Sequence, residues 1–270
     1  MQGCKITMPI VLILIFSIAV LMTITGRGGG NFYVVALIIA GQTIHQAATM
    51  GQFILMLTAF ASMLIFHKHK LVDWKLALFI DPPTDMMAFV GGYFSGYVSG
   101  IYLKYILAGL LVLAGIFMLL KVKNKPILNQ TKLGFWHRKF GDQEYVVNLW
   151  LTIPITAAVG LAAGALGISG GSFKVPLMVL LCGVPMRIAV GTSSAMVAAT
   201  ALMGFAGHAA NGHFDVGWAI PIACTAVLGG IIGGKFAMKT KPKKLKIIFA
   251  YTTFAVAIFM VINAIYCNMG

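Results

Sequence analysis

The stretch TGRGGGNF, residues Thr25 to Phe32, interrupts a chain that is almost purely apolar from Met8 onward. Each glycine costs about 1 kcal/mol relative to alanine inside a helix. Glycines at positions 26, 28, 29 and 30 therefore predict that a membrane helix ends here, next to the permanent charge of Arg27. A similar stretch, LGISGGSF (Leu166 to Phe173), begins 141 residues later.

The composition around these breaks is that of a membrane protein. The chain has 270 residues, of which 60% are hydrophobic and 10% are charged, whereas soluble domains carry about 25% charged residues. We read the first apolar run as a membrane helix and not as a cleaved signal peptide, because it is long and lacks a small-x-small cleavage site. The runs close to the ~20 residues that a bilayer requires are 8–24, 45–66, 76–95, 105–120, 146–166, 189–207, 217–234 and 247–266.

The net charge of +14 does not indicate a nucleic-acid-binding protein, because the basic residues sit in short loops between apolar runs. The four cysteines are scattered singly and give neither a zinc spacing nor a disulfide framework. His67, His69, His208 and His213 flank turns, and we interpret them as solvated loop residues. We expect no metal site and no nucleic-acid partner.

The two glycine stretches belong to an internal repeat. The offset is 141 residues at the breaks, and it becomes 142 after one inserted residue. The matched pairs are Gly26–Gly167, Gly29–Gly170, Gly30–Gly171, Phe32–Phe173, Gly41–Gly183, Ala47–Ala189, Asp73–Asp215, Gly91–Gly233 and Gly92–Gly234. The repeat divides the chain into a first transmembrane half (1–120), a polar cytoplasmic connector (121–145) and a second transmembrane half (146–270).

Each half is predicted to contain four full-length helices and one short helix after the glycine break. The short segments, Asn31–Ala40 and Ser172–Cys182, span about 15 Å, half a bilayer. Five passes per half place 17 of the 20 basic residues on the cytoplasmic side. Four passes make the halves parallel and put either Lys68, Lys70 and Lys75 or the connector on the wrong side. We therefore predict an all-α integral membrane protein of two inverted-topology repeats with 8–10 transmembrane segments, an arrangement typical of secondary transporters.

The breaks predict a site for a small anion. Backbone N–H groups at the start of a short helix attract anions, and a guanidinium suits oxyanions. The alternatives are that the glycines only permit close helix packing, and that the hydroxyls bond their own helix backbone. The predicted substrate-binding residues are Gly26, Arg27, Gly28, Gly29, Gly30, Asn31, Gln52, Gly170, Gly171, Ser172, Thr192 and Ser193.

Asp81 and Asp85 share one helical face at a spacing of four residues, and the second half has no counterpart to them. One interpretation is that these intramembrane carboxylates carry protons or pair with Arg27. The other is that Asp81 caps a helix that starts at Pro82, with the preceding segment lying along the membrane surface.

With these residues in view, the sequence resembles the sulfite exporter TauE/SafE family. The second half carries the likeness in GALGISGGSFKVPLMVLLCGVPMRIAVGTSSAMV, the GHAANGHFD loop and VLGGIIGGKFA; the first half is a weaker copy, with MGQF (Met50–Phe53) where GTSS would be expected. The resemblance implies a multi-pass carrier in the inner (plasma) membrane that moves sulfite, sulfonates such as sulfoacetate, or related oxyanions.

The sequence favours a secondary transporter that exports such anions by alternating access, and a passive anion channel is the alternative. We expect no enzyme activity and no cofactor, because no nucleophile–base pair, metal motif or cofactor fingerprint is visible. The expected partners are the anion and the lipid bilayer, and the sequence leaves both a monomer and a homodimer open.

Overall fold

The computed structural model describes residues 8–94, 133–166, 170–209 and 214–268, with the single positions 109, 112 and 116. These residues are helical apart from turns and one β-hairpin. The elements are α1 (Met8–Ile24), α2 (Gly30–Ile39), α3 (Ile44–Lys68), α4 (Trp74–Tyr93), β1 (Phe135–Phe140), β2 (Gln143–Asn148), α5 (Leu149–Leu166), α6 (Gly171–Leu180), α7 (Met186–Ala209), α8 (Val216–Lys239) and α9 (Pro242–Asn268).

The helices confirm a helical membrane protein. Among the described residues, three segments are long and apolar enough to cross a bilayer: His45–Lys68, Met186–Ala209 and Val216–Lys239. Two further apolar helices, Met8–Ile24 and Leu149–Ala165, are shorter. The fourth full-length helix predicted for the first half, 105–120, lies outside the described ranges.

The two short helices predicted from the glycine breaks are confirmed. Both α2 and α6 are 10 residues long, and each starts one residue before its predicted boundary. Gly41 follows α2 with φ +94°, and Gly183 follows α6 with φ +68°. This left-handed conformation is strained for other residues, which explains why the repeat keeps glycine at both positions.

Helices of the first half pack against helices of the second half in corresponding pairs. Helix α1 packs against α8, and its counterpart α5 packs against α4. Helix α3 also packs against α8, and its counterpart α7 packs against α4. Helices α3 and α7 pack against each other. Glycines bring these pairs close: a Cβ on Gly91 would lie 2.2 Å from the Leu161 carbonyl oxygen, and one on Gly233 would lie 2.5 Å from that of Val20. Gly91 corresponds to Gly233 in the repeat, and Leu161 corresponds to Val20. The same glycine–carbonyl contact therefore occurs twice, once for each half.

Helix α4 corrects one interpretation of Asp81. The helix starts at Trp74 and continues through Pro82 and Pro83, so Asp81 does not cap it. Its cap is Asp73, whose carboxylate accepts a hydrogen bond of 3.1 Å from the Leu76 N–H. The prolines remove two backbone donors, yet burial of one face of α4 against α5 and α7 keeps the helix intact.

The connector contains a structure that an all-helical prediction misses. Strands β1 and β2 pair antiparallel, from Phe135 opposite Asn148 to Phe140 opposite Gln143. The two residues between them include Gly141, with φ +57°. The hairpin therefore extends three residues beyond the connector boundary predicted at residue 145.

Candidate functional site

The first glycine break is a helix ending followed directly by a new helix. The Gly26 N–H bonds to the Thr23 carbonyl at 2.9 Å, and the Arg27 N–H bonds to that of Met22 at 3.1 Å. This pair of bonds, with Gly26 at φ +75°, closes α1 with a Schellman motif. Gly28 and Gly29 also have positive φ, of 73° and 92°, and α2 begins at Gly30.

The second break lies directly against the first. A Cβ on Gly171 would be 3.0 Å from the Arg27 Cα and 3.2 Å from the Gly26 carbonyl oxygen. The Ser193 hydroxyl, from α7, donates to the same Gly26 oxygen at 3.0 Å. The structure thus brings four predicted site residues together from three elements: Gly26, Arg27, Gly171 and Ser193.

The breaks lie where equivalent parts of the two repeats meet. A Cβ on Gly28 would be 2.4 Å from Leu55 of α3 and 3.3 Å from Val197 of α7. Leu55 and Val197 are equivalent at the offset of 142 residues. Both short helices have a glycine N-cap, Gly29 and Gly170, with no side chain to bond the first N–H groups. A helix start of this kind suits an anion.

Arg27 is almost completely buried, with 1% of its surface exposed. Its guanidinium donates to the Thr252 hydroxyl at 3.0 Å and to the Thr253 hydroxyl. It also lies over the Phe249 ring, with Cζ 4.1 Å from the ring centroid. Hydroxyl oxygens accept hydrogen bonds from a guanidinium, and the face of an aromatic ring attracts its charge.

Sequence reasoning missed these partners of Arg27, which all lie on α9. The adjacent threonines at 252 and 253 stand in a largely apolar helix, and that polar pair was the available signal. Nothing in the local sequence connects them with Arg27, because the contact spans 225 residues.

Other predicted ligands lie elsewhere or have a structural partner. The Thr192 hydroxyl accepts the Asp73 N–H at 3.0 Å and so holds the start of α4. Gln52 is buried on α3 against Gly204 of α7, where a Cβ would be 3.0 Å from the Gln52 Cδ. The side chains of Asn31 and Ser172 are not among those described.

A second buried cation, Lys174 of α6, binds the carboxylates of α4. Its ammonium forms an ion pair with Asp81, and the two side chains are 1% and 6% exposed. The ammonium also donates to the Thr200 hydroxyl at 2.6 Å, and this hydroxyl lies 2.6 Å from Asp85 Oδ1. Asp81 therefore pairs with Lys174 rather than with Arg27.

The histidines are placed differently from one another. His67 and His69 are exposed, as expected of solvated loop residues. The interpretation is wrong for His208, which is buried on α7 with Nε2 3.1 Å from the Gly164 carbonyl oxygen. The described residues contain no group of His, Cys, Asp and Glu that could hold a metal ion.

The hairpin is fastened to the turn before α4 by Asp73. Arg138 binds the Asp73 carboxylate at 2.9 Å through both Nε and Nη2, and the Tyr145 hydroxyl donates to it. Burial by itself raises the pKa of Asp73. Hydrogen bonds from Arg138, Tyr145 and the Leu76 N–H, together with the positive charge of Arg138, lower it by more, so the pKa lies below its ordinary value.

We expect Arg138→Ala to lower the melting temperature at neutral pH, since it removes the two guanidinium N–H donors that bind the Asp73 carboxylate. Hydrogen bonds to charged groups contribute about 1.5–3 kcal/mol each. Because the pKa of Asp73 is lower in the folded chain, its contribution is complete above about pH 4 and disappears as the pH falls through the folded value. Thermal unfolding between pH 7 and pH 3 should therefore show the difference from wild type shrinking on acidification.

Lys139→Ala is the matched control for this experiment. Lys139 pairs with Glu144 at 3.3 Å on the same hairpin, but the two side chains are 71% and 52% exposed. Exposed pairs contribute little, so this variant should melt like the wild type. An Arg138→Ala protein with an unchanged melting temperature at neutral pH would contradict the role given to Asp73.

Comparisons with known proteins agree with these features. The profile described as "Sulfite exporter TauE/SafE" matches residues 11–260. The chain is 27% identical to "Probable membrane transporter protein YunE" of Bacillus subtilis over 239 residues, which cover 84% of this chain and 87% of that protein. It is 22% identical to "Probable membrane transporter protein YdhB" of Bacillus subtilis, covering 84% and 89% of the two chains.

A third relative comes from an archaeon. The chain is 23% identical to "Probable membrane transporter protein MJ0441" of Methanocaldococcus jannaschii over 274 aligned positions, covering 94% of this chain and 96% of that protein. No solved structure matches the chain. Since the family profile covers nearly the whole sequence, the protein belongs to the sulfite exporter TauE/SafE family of membrane transporters.

Proposed function

We propose that the protein is a secondary transporter that moves small sulfur-containing anions, such as sulfite, sulfoacetate or related oxyanions, out of the cell across the inner membrane. The observation that carries this proposal is the burial of Arg27 inside one glycine break, in contact with the other break at Gly171. A buried guanidinium in a membrane is costly unless it serves a polar pathway or ligand.

The proposed site combines charge with backbone donors. Arg27 attracts the anion, and the starts of α2 and α6 offer N–H groups of Gly30, Asn31 and Ser172. Of the remaining predicted ligands, Gly26, Gly28, Gly29, Gly170, Gly171 and Ser193 form or contact the two breaks, whereas Gln52 lies on α3 against Gly204 and Thr192 holds the start of α4. In this arrangement Thr192 and Ser193 fix the position of backbone groups. The Thr192 hydroxyl accepts the Asp73 N–H, and the Ser193 hydroxyl donates to the Gly26 carbonyl oxygen.

Transport by alternating access follows from the repeat. We propose that the halves 1–120 and 146–270 have inverted topology in a multi-pass protein, with 121–145 on the cytoplasmic side. The swapped packing of α1 on α8 and α5 on α4 supports a two-fold relation between the halves. The inside-negative potential then favours export, at about 2.3 kcal/mol per charge per 100 mV.

Counterflow in liposomes tests the proposal. Purified protein would be reconstituted with a high internal concentration of unlabelled anion, and the uptake of external labelled anion would be followed. With the membrane potential clamped at zero by K⁺ and valinomycin, a carrier still gives a transient accumulation of label, whereas a passive channel gives electrical conductance and no accumulation. Sulfite, sulfoacetate, thiosulfate, sulfate and a simple carboxylate form the panel; counterflow with none of these anions would refute the proposal.

A further inference from the structure

The cluster around Lys174 occurs in only one of the two repeats. Lys174 stands at the position that Tyr33 occupies in the first repeat, and Thr200 stands at that of Thr58. Both first-repeat residues are fully buried. The repeat position of Asp81 is Ala223 in the second half, where no charge exists. The charges of Lys174 and Asp81 therefore have no counterparts at the equivalent positions of the other repeat.

The polar groups of this cluster form a connected chain. The three N–H donors of the Lys174 ammonium reach Asp81 Oδ1, the Thr200 hydroxyl at 2.6 Å and the Met196 carbonyl oxygen at 3.2 Å. The Thr200 hydroxyl continues to Asp85 Oδ1. A threonine hydroxyl can accept from one neighbour and donate to another, so it joins the ammonium to the second carboxylate.

The charges in this cluster do not balance when both carboxylates are ionised. One ammonium then faces two carboxylates, which leaves one net negative charge in the membrane interior. Such a charge is strongly disfavoured in a low-dielectric environment. One bound proton removes it. Asp81 Oδ2 is buried and has no hydrogen-bond partner in the structure, which makes it the oxygen suited to hold that proton.

Among the residues that the structure describes, few other titratable groups face the pair. Helix α5, which packs along α4, has none in its sequence, and α6 contributes only Lys174. Helix α7 has Arg187 near its start and His208 near its end, and His208 is bonded to Gly164. On α4 itself the remaining titratable residues are Lys75 and Tyr93, both exposed.

Lys174 also connects this cluster with the glycine breaks. It lies three residues after Gly171, which touches Arg27, so one turn of α6 links the two cations. Protonation of Asp81 would remove its negative charge and weaken its hold on Lys174. The ammonium would then be a second positive charge, on the same short helix as the break.

We propose that Asp81 and Asp85 together hold one exchangeable proton, and that binding of this proton and binding of an anion near Arg27 favour each other through Lys174. The proton comes from water and returns to water, and no bond other than O–H forms or breaks. The coupling rests on the proposed transport function, whereas the proton site does not. A divalent anion that travels with one proton still carries net negative charge, so the membrane potential still drives it outward.

Infrared spectroscopy tests the proton site without any anion. The chain has only six acidic residues, so the carbonyl band of a protonated carboxyl group can be assigned by substitution. We expect such a band near neutral pH in the purified full-length protein, with a downshift in D₂O. It should disappear in Asp81→Asn or in Asp85→Asn, and it should persist in Asp142→Asn, a matched change at an exposed turn.

Three outcomes would overturn the proton site. The first is the absence of the protonated-carboxyl band between pH 5 and pH 9, and the second is its persistence in both Asp81→Asn and Asp85→Asn. The third is loss of the band in NaCl but not in choline chloride, because this would assign the site to Na⁺. Asp85 is only partly buried, so Asp85→Asn keeps the test decisive if Asp81→Asn fails to give a monodisperse protein.

Proton uptake on anion binding tests the coupling. Sulfoacetate, whose charge is constant near neutral pH, would be added to weakly buffered protein that contains a pH-sensitive dye. We expect uptake of up to one proton per wild-type protein and none in Asp81→Asn. Binding of sulfoacetate, seen as a thermal shift, without proton uptake would overturn the coupling and leave transport standing. Failure of the whole panel in counterflow would instead refute the proposed function and leave the infrared result intact.

Discussion

Arg27→Ala is expected to abolish saturable anion flux in liposomes. The side chain is buried, the Arg27 Cα lies against the second break at Gly171, and in our proposal the guanidinium supplies the main charge for the anion. Removing one partner of a buried charged contact typically costs 2–5 kcal/mol, which is roughly a 30- to 4,000-fold loss of affinity. Initial rates of counterflow over a range of anion concentrations would measure this loss.

Two variants separate binding from general damage to the protein. Arg27→Lys keeps the charge but loses the planar fork of donors, so flux should persist with weaker affinity. Arg187→Ala removes the arginine of α7, whose guanidinium bonds the Thr240 carbonyl oxygen at 3.1 Å, and it should retain saturable flux. Undiminished flux in Arg27→Ala would remove Arg27 from the site.

The second large effect is expected on stability. Lys174→Met leaves the buried carboxylate of Asp81 without its ammonium, and the loss of one partner from a buried ion pair costs about 3–5 kcal/mol. We expect a clear drop in the melting temperature of the purified protein at neutral pH. Lys75→Met, at an exposed position of α4, should melt like the wild type.

A double variant checks the cause of this loss. In Lys174→Met/Asp81→Asn the buried unpaired charge of Asp81 is gone and only the partly buried carboxylate of Asp85 remains, so much of the lost stability should return. The resulting double-mutant cycle measures the coupling between the two side chains. Additive effects, with no recovery in the double variant, would mean that the ion pair contributes nothing specific.

The local sequence predicted the breaks and the short helices because their cause is local. Glycine is a poor helix former and reaches positive φ freely, so the runs around Gly28 and Gly170 end one helix and allow the next. The offset between the halves then predicted corresponding helices. Predicted and observed boundaries of both short helices differ by only one or two residues.

The partners of the buried cations could not be predicted in this way. Arg27 and Thr252 lie 225 residues apart, and Lys174 and Asp81 lie 93 apart. Such contacts depend on which helix faces pack together, and periodicity does not determine this in helices that are apolar all round. The missing counterpart of Asp81 in the second half was visible, but its pairing with Lys174 was not.

The hairpin, by contrast, left a signal that could have been read. FWHRKF and QEYVVN are rich in aromatic and β-branched residues, and only Gly141 and Asp142 separate them. Two such runs joined by a two-residue turn with glycine indicate a β-hairpin. Treating the connector only as a charged loop concealed this pattern, and with it the contact between Arg138 and Asp73.

The anchoring of Arg27 by α9 has a consequence for biogenesis. A ribosome adds about 5–20 residues per second, so Thr252, made 225 residues after Arg27, emerges roughly 10–45 s later. Throughout that interval the nascent protein must keep the guanidinium in the membrane or the translocon without its threonine hydroxyls. Arg27 therefore gains these hydroxyl partners only after α9 has been made, which places this contact late in the assembly of the membrane fold.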